Sequence, residues 1–281
     1  MNAERTDYDL LYNPRLTVTG FEEVFGRWER DSERARARLD CYLDVPYGAS
    51  DAETLDLFRA KGRSRGLLMF IHGGYWRSLD KKRFSFVASA LVEAGVTVAV
   101  VNYALCPSVT VADIVIQMVQ ACAWLYRNGA NFGAPAGKLG VYGHSAGGHL
   151  AAMMLACQWP KYSPDLPSKV VSGAVSISGL YDLIEIAKVP SINGDVRLTE
   201  KAAIRVSPAF LPPATDAPLI TVVGADENEG FHIQNRIIAK KWPRVHKADL
   251  SCAGKNHFTV LDGLVDPESR LFKAILGLTE L

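Results

Sequence analysis

Cysteine is too sparse and too irregular in this chain to build a disulfide framework or a metal cluster. The five cysteines are scattered, odd in number and never spaced as a CxxC pair. A zinc site and a disulfide scaffold therefore find no support, and we expect reduced, mostly buried thiols. Cys106, which falls in a loop after a predicted strand, is interpreted as a packing or loop residue. We expect no metal and no cofactor.

An excess of charge of one sign is also missing. Lys and Arg number 31 against 30 Asp and Glu, which gives a formal net charge of +1, and the basic residues are spread along the whole length. No basic stripe suggests nucleic acid as a partner. The first residues, MNAERTDYDLLYNPR, are charged where a signal peptide needs an apolar core, and no apolar run approaches the roughly 20 residues of a membrane span. We therefore expect a cytoplasmic protein with no membrane partner.

No linker, repeat or charge run divides the 281 residues. Hydrophobic residues make up 48% and charged residues 22%, as in a globular protein with a substantial core. We expect one domain over 1–281. Residues from about 1 to 39 are predicted as a helical extension, which either covers the back of the sheet or forms a lid. A proline-rich segment over about 180–217 is either a short cap beside a substrate pocket or a surface loop.

Apolar runs alternate with segments of helical spacing along most of the chain. Leu67–Ile71 and Val96–Val101 are nearly continuous apolar runs, which is typical of central strands in a parallel sheet. Lys81–Ala94, between them, is predicted as a crossover helix of a right-handed βαβ unit. Two further strands, Cys41–Val45 and Thr54–Phe58, are typical of an antiparallel hairpin at a sheet edge. We predict an α/β fold with a mostly parallel eight-stranded sheet and helices on both faces. The other predicted helices cover about 111–127, 229–242 and 268–278, and the other strands cover 139–142, 170–177, 219–223 and 246–250.

The stretch from Lys138 to Cys157 carries the strongest motif. A short buried strand, Leu139–Tyr142, runs into the letters GHSAG, which match GxSxG, and an apolar helix follows. Such a turn forces Ser145 into a strained conformation, which is tolerable because Gly143 and Gly147 carry no Cβ where the two arms of the turn nearly touch. Ser145 is either a nucleophile at the positive end of a helix or only an N-cap.

A serine nucleophile needs a base that is itself held by a carboxylate, and in this architecture the chain order is serine, acid, histidine. His257 follows the last predicted strand, where the carboxyl ends of the strands gather, and is predicted as the base. His246 begins a strand and His232 lies within a predicted helix, so both are interpreted as structural.

The acid is sought just past the strand at 219–223. Asp226 lies nearest to the end of that strand, where position is best fixed, and is predicted as the carboxylate that orients His257. Glu227 and Glu229 are close by and remain alternatives.

Acyl transfer also needs hydrogen-bond donors for the oxygen of the tetrahedral intermediate. The letters HGGYW follow the strand at 67–71, and two glycines there allow the backbone to turn its N–H groups into the site. The expected donors are the amides of Gly74 and Tyr75, together with that of Ala146 after the serine. His72 is interpreted as a residue that orders this loop. The remaining residues that support the motif are Gly73 and Trp76.

With these positions assigned, the chain resembles the arylformamidase (kynurenine formamidase) branch of the α/β-hydrolase superfamily. The similar segments are HGGYWR, YALCPSV, GHSAGGHL, ISGLYDL, GADENEGFHIQN and NHFTVLDGL. The resemblance implies hydrolysis of the formyl amide of N-formylkynurenine, or of other aryl amides or esters. It also implies Ser145 as nucleophile, His257 as base and then acid, and Asp226 as the orienting carboxylate. One spacing departs from the family pattern: Phe231 lies one residue farther from Asp226 than that pattern has it, with Gly230 intervening.

The sequence leaves the substrate contacts open. An anthranilate-like or kynurenine-like carboxylate would need an arginine, and the candidates are Arg77 and Arg15. Several aromatic residues could face an aryl ring or serve only in packing, namely Tyr75, Trp76, Tyr103, Phe210 and Trp28.

We predict a serine hydrolase that cleaves a carbon–nitrogen amide bond of an N-formyl or N-acyl aromatic amine. The alternatives are a carboxylesterase for small esters and a non-catalytic binding protein on a hydrolase scaffold. The expected partner is a small aromatic amide or ester. A homodimer would be unsurprising, although the sequence does not reveal the oligomeric state.

Overall fold

The structure, a computed structural model, describes residues 7–137 and 139–281. The first six residues of the predicted extension, and Lys138 at the start of the serine stretch, lie outside the described residues. The strands are β1 (Cys41–Pro46), β2 (Thr54–Phe58), β3 (Leu67–Ile71), β4 (Thr97–Val101), β5 (Leu139–His144), β6 (Val171–Ile177), β7 (Leu219–Gly224) and β8 (His246–Cys252). The α-helices are α1 (Tyr8–Tyr12), α2 (Pro14–Thr17), α3 (Phe21–Arg38), α4 (Ser89–Glu93), α5 (Val111–Asn128), α6 (Ala146–Ala156), α7 (Trp159–Tyr162), α8 (Leu183–Ile186), α9 (Pro190–Val196), α10 (Glu200–Arg205), α11 (Glu229–Lys241) and α12 (Arg270–Gly277). Short 3₁₀ helices cover Lys81–Ala88, Gly129–Phe132, Pro208–Phe210, Thr259–Leu264 and Leu278–Glu280.

All eight strands form one sheet, in the order β1-β2-β4-β3-β5-β6-β7-β8. The six strands from β4 to β8 in this order pair in parallel, while β1 pairs with β2 and β2 with β4 in antiparallel fashion. Every residue of β3, β4 and β5 is buried, which is why these strands have continuous apolar sequences. The predicted fold class and the edge hairpin are confirmed.

Apolar layers cover both faces of the sheet. Side chains alternate along β3, so that Leu67, Met69 and Ile71 face the layer that contains α5 and α6. Leu68 and Phe70 face the opposite layer, which contains α3 and α12. The carboxyl ends of the parallel strands therefore emerge between two packed layers, and the loops at that edge are held in place from both sides.

The connection from β3 to β4 differs from the predicted crossover helix. The segment starts as a 3₁₀ helix at Lys81, and α4 forms only its last turn. In an α-helix the N–H of Phe86 would donate to the carbonyl of Lys82. Here the Phe86 N–H donates to Ser32 Oγ at 3.2 Å, and the Lys82 carbonyl accepts from the guanidinium of Arg36. Side chains of α3 thus replace that helical hydrogen bond, and the segment adopts the tighter 3₁₀ form.

The proline-rich segment at 180–217 folds into α8, α9, α10 and a 3₁₀ turn, and it contacts the N-terminal residues. Asn13 Nδ2 donates to Ser191 Oγ at 3.0 Å, and the Ser191 N–H donates to the carboxylate of Asp9 at 3.3 Å. Asp195 forms an ion pair with Arg77 of the HGGYWR loop. These contacts join the N-terminal extension and this segment into one surface beside the HGGYWR loop.

The thiols are free, as the sequence predicts, but only Cys106 and Cys122 are buried, and the other three cysteines are partly exposed. Cys106 is 4% exposed, and burial raises the pKa of its thiol to about 11, so this side chain packs in the neutral form. Across the described ranges, no helix combines the length and the apolar character that crossing a membrane requires.

Candidate active site

Ser145 stands at a sharp turn between β5 and α6. Its backbone has φ 59° and ψ −120°, in the left-handed half of φ where a residue with a side chain is strained. A Cβ on Gly143 would lie 2.2 Å from the carbonyl oxygen of Gly147, and one on Gly147 would lie 1.9 Å from that of Ile71. Only glycine fits at both positions. The Ser145 N–H donates to the Ile177 carbonyl at 2.8 Å, which ties the turn to β6.

The imidazole of His257 is held by a buried carboxylate. His257 Nδ1 lies 2.6 Å from Glu227 Oε2, and the two side chains are 3% and 0% exposed. The other carboxylate oxygen, Glu227 Oε1, accepts from Ser178 Oγ at 2.6 Å and from the Gly224 N–H at 2.7 Å. Three donors therefore surround this carboxylate, and the hydrogen bond through Nδ1 leaves His257 Nε2 available to a hydroxyl.

The prediction of Asp226 as the orienting carboxylate is wrong. The end of β7 enters a turn in which the Glu227 N–H donates to the Gly224 carbonyl at 3.2 Å. Asp226 occupies the corner of this turn and is exposed, whereas Glu227 returns toward the strand end with a side chain long enough to reach back to it. Glu229 is exposed and paired with Arg236. The distance along the chain from the end of β7 therefore does not identify the acid, because the turn reverses the direction of the chain and brings Glu227 back to the strand end.

One signal in the sequence pointed to Glu227. Phe231 lies one residue too far from Asp226 for the family pattern, and counting from Glu227 removes that departure. The Phe231 ring packs against the His257 ring with centroids 4.3 Å apart, so the spacing has a structural consequence.

Sequence reasoning missed two further residues that hold the histidine and its carboxylate. Ser178 has φ 51°, and its hydroxyl donates the hydrogen bond to Glu227 described above. His144 lies beside Ser145, and its Nε2–H donates to the backbone carbonyl of His257 at 2.8 Å. Burial, together with the nearby His257 ring, holds the pKa of His144 well below its usual range. His144 is therefore a neutral donor that fixes the His257 loop.

The HGGYW loop lies against Ser145. A Cβ on Gly73 would lie 3.0 Å from Ser145 Cβ, and Gly74 has φ 108°. Tyr75 and Trp76 follow with φ values of 51° and 56°, so the loop turns sharply after the strand. None of the backbone hydrogen bonds of the described residues uses the N–H of Gly74, Tyr75 or Ala146. These are the three amides that the sequence indicates as oxyanion donors.

Two of the suggested substrate contacts lie in the core instead of the pocket. Trp76 is 0% exposed and meets His149 edge-on, at 5.2 Å between ring centroids. Tyr103 stacks on His72 at 4.3 Å and donates its hydroxyl to the His72 carbonyl at 2.8 Å. The prediction of Trp76 and Tyr103 as substrate contacts is therefore wrong. His72 is fully buried, with Nε2 3.2 Å from Asn102 Oδ1.

A pocket with an empty volume of about 490 Å³, including open solvent at its mouth, contains Ser145 and His257 in its wall. Phe25, Trp28 and Phe258 supply aromatic surface. No residue of 180–217 lines it, and Phe210 lies elsewhere, 41% exposed. The other lining residues are Asn13, Pro14, Arg15, Gly74, Tyr75, Arg77, Ser78, Leu79 and His144.

These groups are equipped for acyl transfer. A hydroxyl at a helix N-terminus, an imidazole oriented by a carboxylate, and unpaired backbone amides on an adjacent loop are the parts that such chemistry requires. Within residues 7–137 and 139–281, no group of three or more His, Cys, Asp or Glu side chains is placed to hold a metal ion.

The fold and this arrangement define a hydrolase of the α/β-hydrolase superfamily. A family model described as BD-FAE matches residues 55–209. A kynurenine formamidase from Salmo salar is 30% identical over 255 residues, which cover 87% of this chain and 84% of that protein. The chain therefore belongs to the BD-FAE family and to the kynurenine formamidase-like branch of the α/β-hydrolase superfamily.

Two further relatives carry esterase descriptions. A crystal structure from silicibacter sp. tm1040, described provisionally as a thioesterase, superposes with a TM-score of 0.83 at 32% identity and covers 92% of this chain and 94% of that chain. Esterase LipQ from Mycobacterium tuberculosis is 32% identical over 149 residues, which are 50% of this chain and 35% of that protein.

Proposed function

We propose that this chain hydrolyses the amide bond of an N-formyl or N-acyl aromatic amine through an acyl-enzyme on Ser145. The observation that carries the proposal is that His257, paired with the buried carboxylate of Glu227, lines the same pocket as a serine held at a strained turn. A structural serine needs neither the strain nor the oriented imidazole beside it.

The proposed reaction begins when Ser145 Oγ attacks the carbonyl carbon and His257 Nε2 takes the hydroxyl proton. Glu227 keeps Nδ1–H oriented and stabilises the imidazolium. The amides of Gly74, Tyr75 and Ala146 hold the oxyanion, and each such donor contributes about 3 kcal/mol to transition-state stabilisation. His257 then gives its proton to the departing amine, so that the carbon–nitrogen bond breaks. Water, activated by the same imidazole, releases the acid from Ser145.

Two observations support an aromatic amide as the substrate. The chain aligns with a kynurenine formamidase over 87% of its own length and 84% of that protein's length. Phe25, Trp28 and Phe258 form an aromatic wall beside Ser145 that suits a flat ring.

The test compares kcat/KM for N-formylkynurenine, formanilide and acetanilide with that for phenyl acetate. We expect turnover of the formyl amides, and loss of all turnover in Ser145→Ala with unchanged thermal stability. If kcat/KM for phenyl acetate exceeds that for every amide by several orders of magnitude, the amide proposal fails. A fluorophosphonate probe should label the wild type and not Ser145→Ala, and a wild type that resists labelling would favour the non-catalytic alternative.

A carboxylesterase for small esters is the second candidate, because the relatives described as esterases favour it. The same side chains would perform the reaction, so only the substrate comparison above separates the two candidates. Ester turnover without amide turnover would establish this second function.

Two expectations from the sequence stay predictions. A homodimer is tested by light scattering on the purified protein, and a cytoplasmic location by fractionation of the source cells.

A further inference from the structure

Arg15 is a guanidinium at the mouth of the Ser145 pocket that has no carboxylate partner in the described part of the chain. Arg15 is the second residue of α2, and it lines the pocket together with Ser145 and His257. Its polar side-chain contact is a long hydrogen bond from Nη2 to Ser78 Oγ, at 3.5 Å. The charge is therefore held in place without being neutralised.

The neighbouring arginines are different. Arg77, which also lines the pocket, forms an ion pair with Asp195, and Arg83 lies 3.7 Å from a carboxylate oxygen of Glu29. Among the lining residues there is no Asp or Glu. Of the three arginines Arg15, Arg77 and Arg83, Arg15 is therefore the one that lines the pocket without a carboxylate partner among the described residues.

Aromatic packing fixes where that charge stands. The Arg15 guanidinium lies 5.7 Å from the centroid of the Phe25 ring, and the Arg83 guanidinium lies 5.5 Å from it. Burial, followed by the positive charges of Arg77 and Arg83, lowers the pKa of Arg15. Gathering like charges here costs stability, and an anion bound beside Arg15 would relieve that cost.

We propose that Arg15 binds a carboxylate carried by the substrate, so that the preferred substrates are acylated aromatic amines with an acidic substituent on or near the ring. A planar guanidinium pairs with both oxygens of a carboxylate, and Arg15 shares the pocket wall with the aromatic surface of Phe25. This inference rests on the proposed hydrolysis and adds the chemical class of the part of the substrate that does not react. Arg15 then acts in specificity and takes no part in bond cleavage.

The experiment compares matched substrates that differ in charge alone. Formamidobenzoates are paired with the corresponding neutral formamidobenzamides, each as ortho, meta and para isomers, and the ratio of kcat/KM within each pair is measured. We expect the wild type to favour at least one carboxylate isomer by about 10- to 100-fold, the range for a hydrogen bond to a charged group. Arg15→Met should bring that ratio to about 1, and Arg15→Lys should keep part of it. The matched control is Arg63→Met, because Arg63 is exposed and precedes β3 at the far edge of the sheet.

Either of two results would overturn the inference: a wild type with no carboxylate preference, or a preference that survives in Arg15→Met. If no formamide is hydrolysed, the proposed amide function fails, and acetoxybenzoates paired with acetoxybenzamides test Arg15 on the esterase reaction. Inhibition of phenyl acetate turnover by 2-aminobenzoate, compared with aniline, gives a readout that needs no amide cleavage. A variant that has lost its fold is recognised by a lowered thermal midpoint and by the loss of turnover of both substrates in each pair.

Discussion

Glu227 Oε2 accepts a hydrogen bond from His257 Nδ1 at 2.6 Å, and both side chains are buried at the carboxyl edge of the sheet. If this carboxylate orients the imidazole, Glu227→Gln should reduce kcat by about 10³- to 10⁴-fold, because an amide donor opposite Nδ1 favours the wrong tautomer. The measurement is kcat on whichever substrate the wild type turns over. Asp226→Asn is the matched control and should stay near the wild type, since that carboxylate is exposed. The opposite result would restore Asp226 as the acid.

Ser178 is predicted to be a positioning residue. Its hydroxyl donates to Glu227 Oε1 at 2.6 Å, on the carboxylate oxygen that does not face His257. Ser178→Ala removes one of three donors to this buried carboxylate, and we expect kcat to fall about tenfold with a smaller change in KM, by the usual value of a hydrogen bond to a charged group. The pH profile of kcat/KM should also shift, which loss of packing alone would not produce.

The control for Ser178 lies on β6, the strand that Ser178 directly follows. Ser172 is a buried serine of β6 whose hydroxyl donates to the Leu139 carbonyl at 3.2 Å, at the amino end of the sheet. Ser172→Ala should change stability by about 1 kcal/mol and leave the pH profile of kcat/KM in place. If the two variants alter the profile equally, Ser178 has no special relation to the carboxylate.

Much of the fold is readable from the sequence because the central strands are short, apolar and buried on both faces. β3, for example, was predicted with the same bounds as observed, Leu67–Ile71. The strained turn at Ser145 is also readable from the sequence, because the turn has no room for a Cβ at Gly143 or Gly147 and glycine is therefore required at both positions. Where the main chain alone determines the geometry, local sequence was sufficient.

What the sequence could not supply depends on side chains from distant elements. The 3₁₀ form after Lys81 results from Ser32 and Arg36 of α3, which take the place of a helical hydrogen bond. The choice of Glu227 over Asp226 depends on which side chain of a tight turn faces inward, and chain distance carries little information about that.

Gly147 is predicted to tolerate no side chain. A Cβ there would lie 1.9 Å from the carbonyl oxygen of Ile71, and backbone cannot move aside as a flexible side chain would. We expect Gly147→Ala to lower the free energy of unfolding by about 3 kcal/mol and to displace the Ser145 turn, with loss of activity. Gly194, in α9, has no atom within 4 Å of the corresponding position. Gly194→Ala should be neutral or stabilising by up to about 1 kcal/mol. Urea unfolding of both variants checks the contrast.

His149 should make the fold sensitive to acid. It is fully buried in α6, its Nε2–H donates to the Val206 carbonyl at 2.6 Å, and Nδ1 has no partner among the described residues. Burial lowers the pKa of His149 from 6.5 to about 4. Below pH 6.5 the unfolded chain therefore binds a proton that the folded chain does not. Its contribution to stability is complete above pH 6.5 and falls as the pH approaches 4, by about 3 kcal/mol in total.

The variant His149→Gln isolates this contribution, because glutamine can still donate to the Val206 carbonyl but does not titrate. At pH 8 we expect the variant to be less stable than the wild type, through lost packing against Trp76. As the pH is lowered from 6.5 toward 4, the wild type should lose stability faster, so the difference between the two narrows by about 1.4 kcal/mol per pH unit. Urea unfolding at several pH values measures this difference. A difference that stays constant over the whole range would mean that His149 takes up its proton equally in the folded and unfolded chains, and that its burial does not act on its titration.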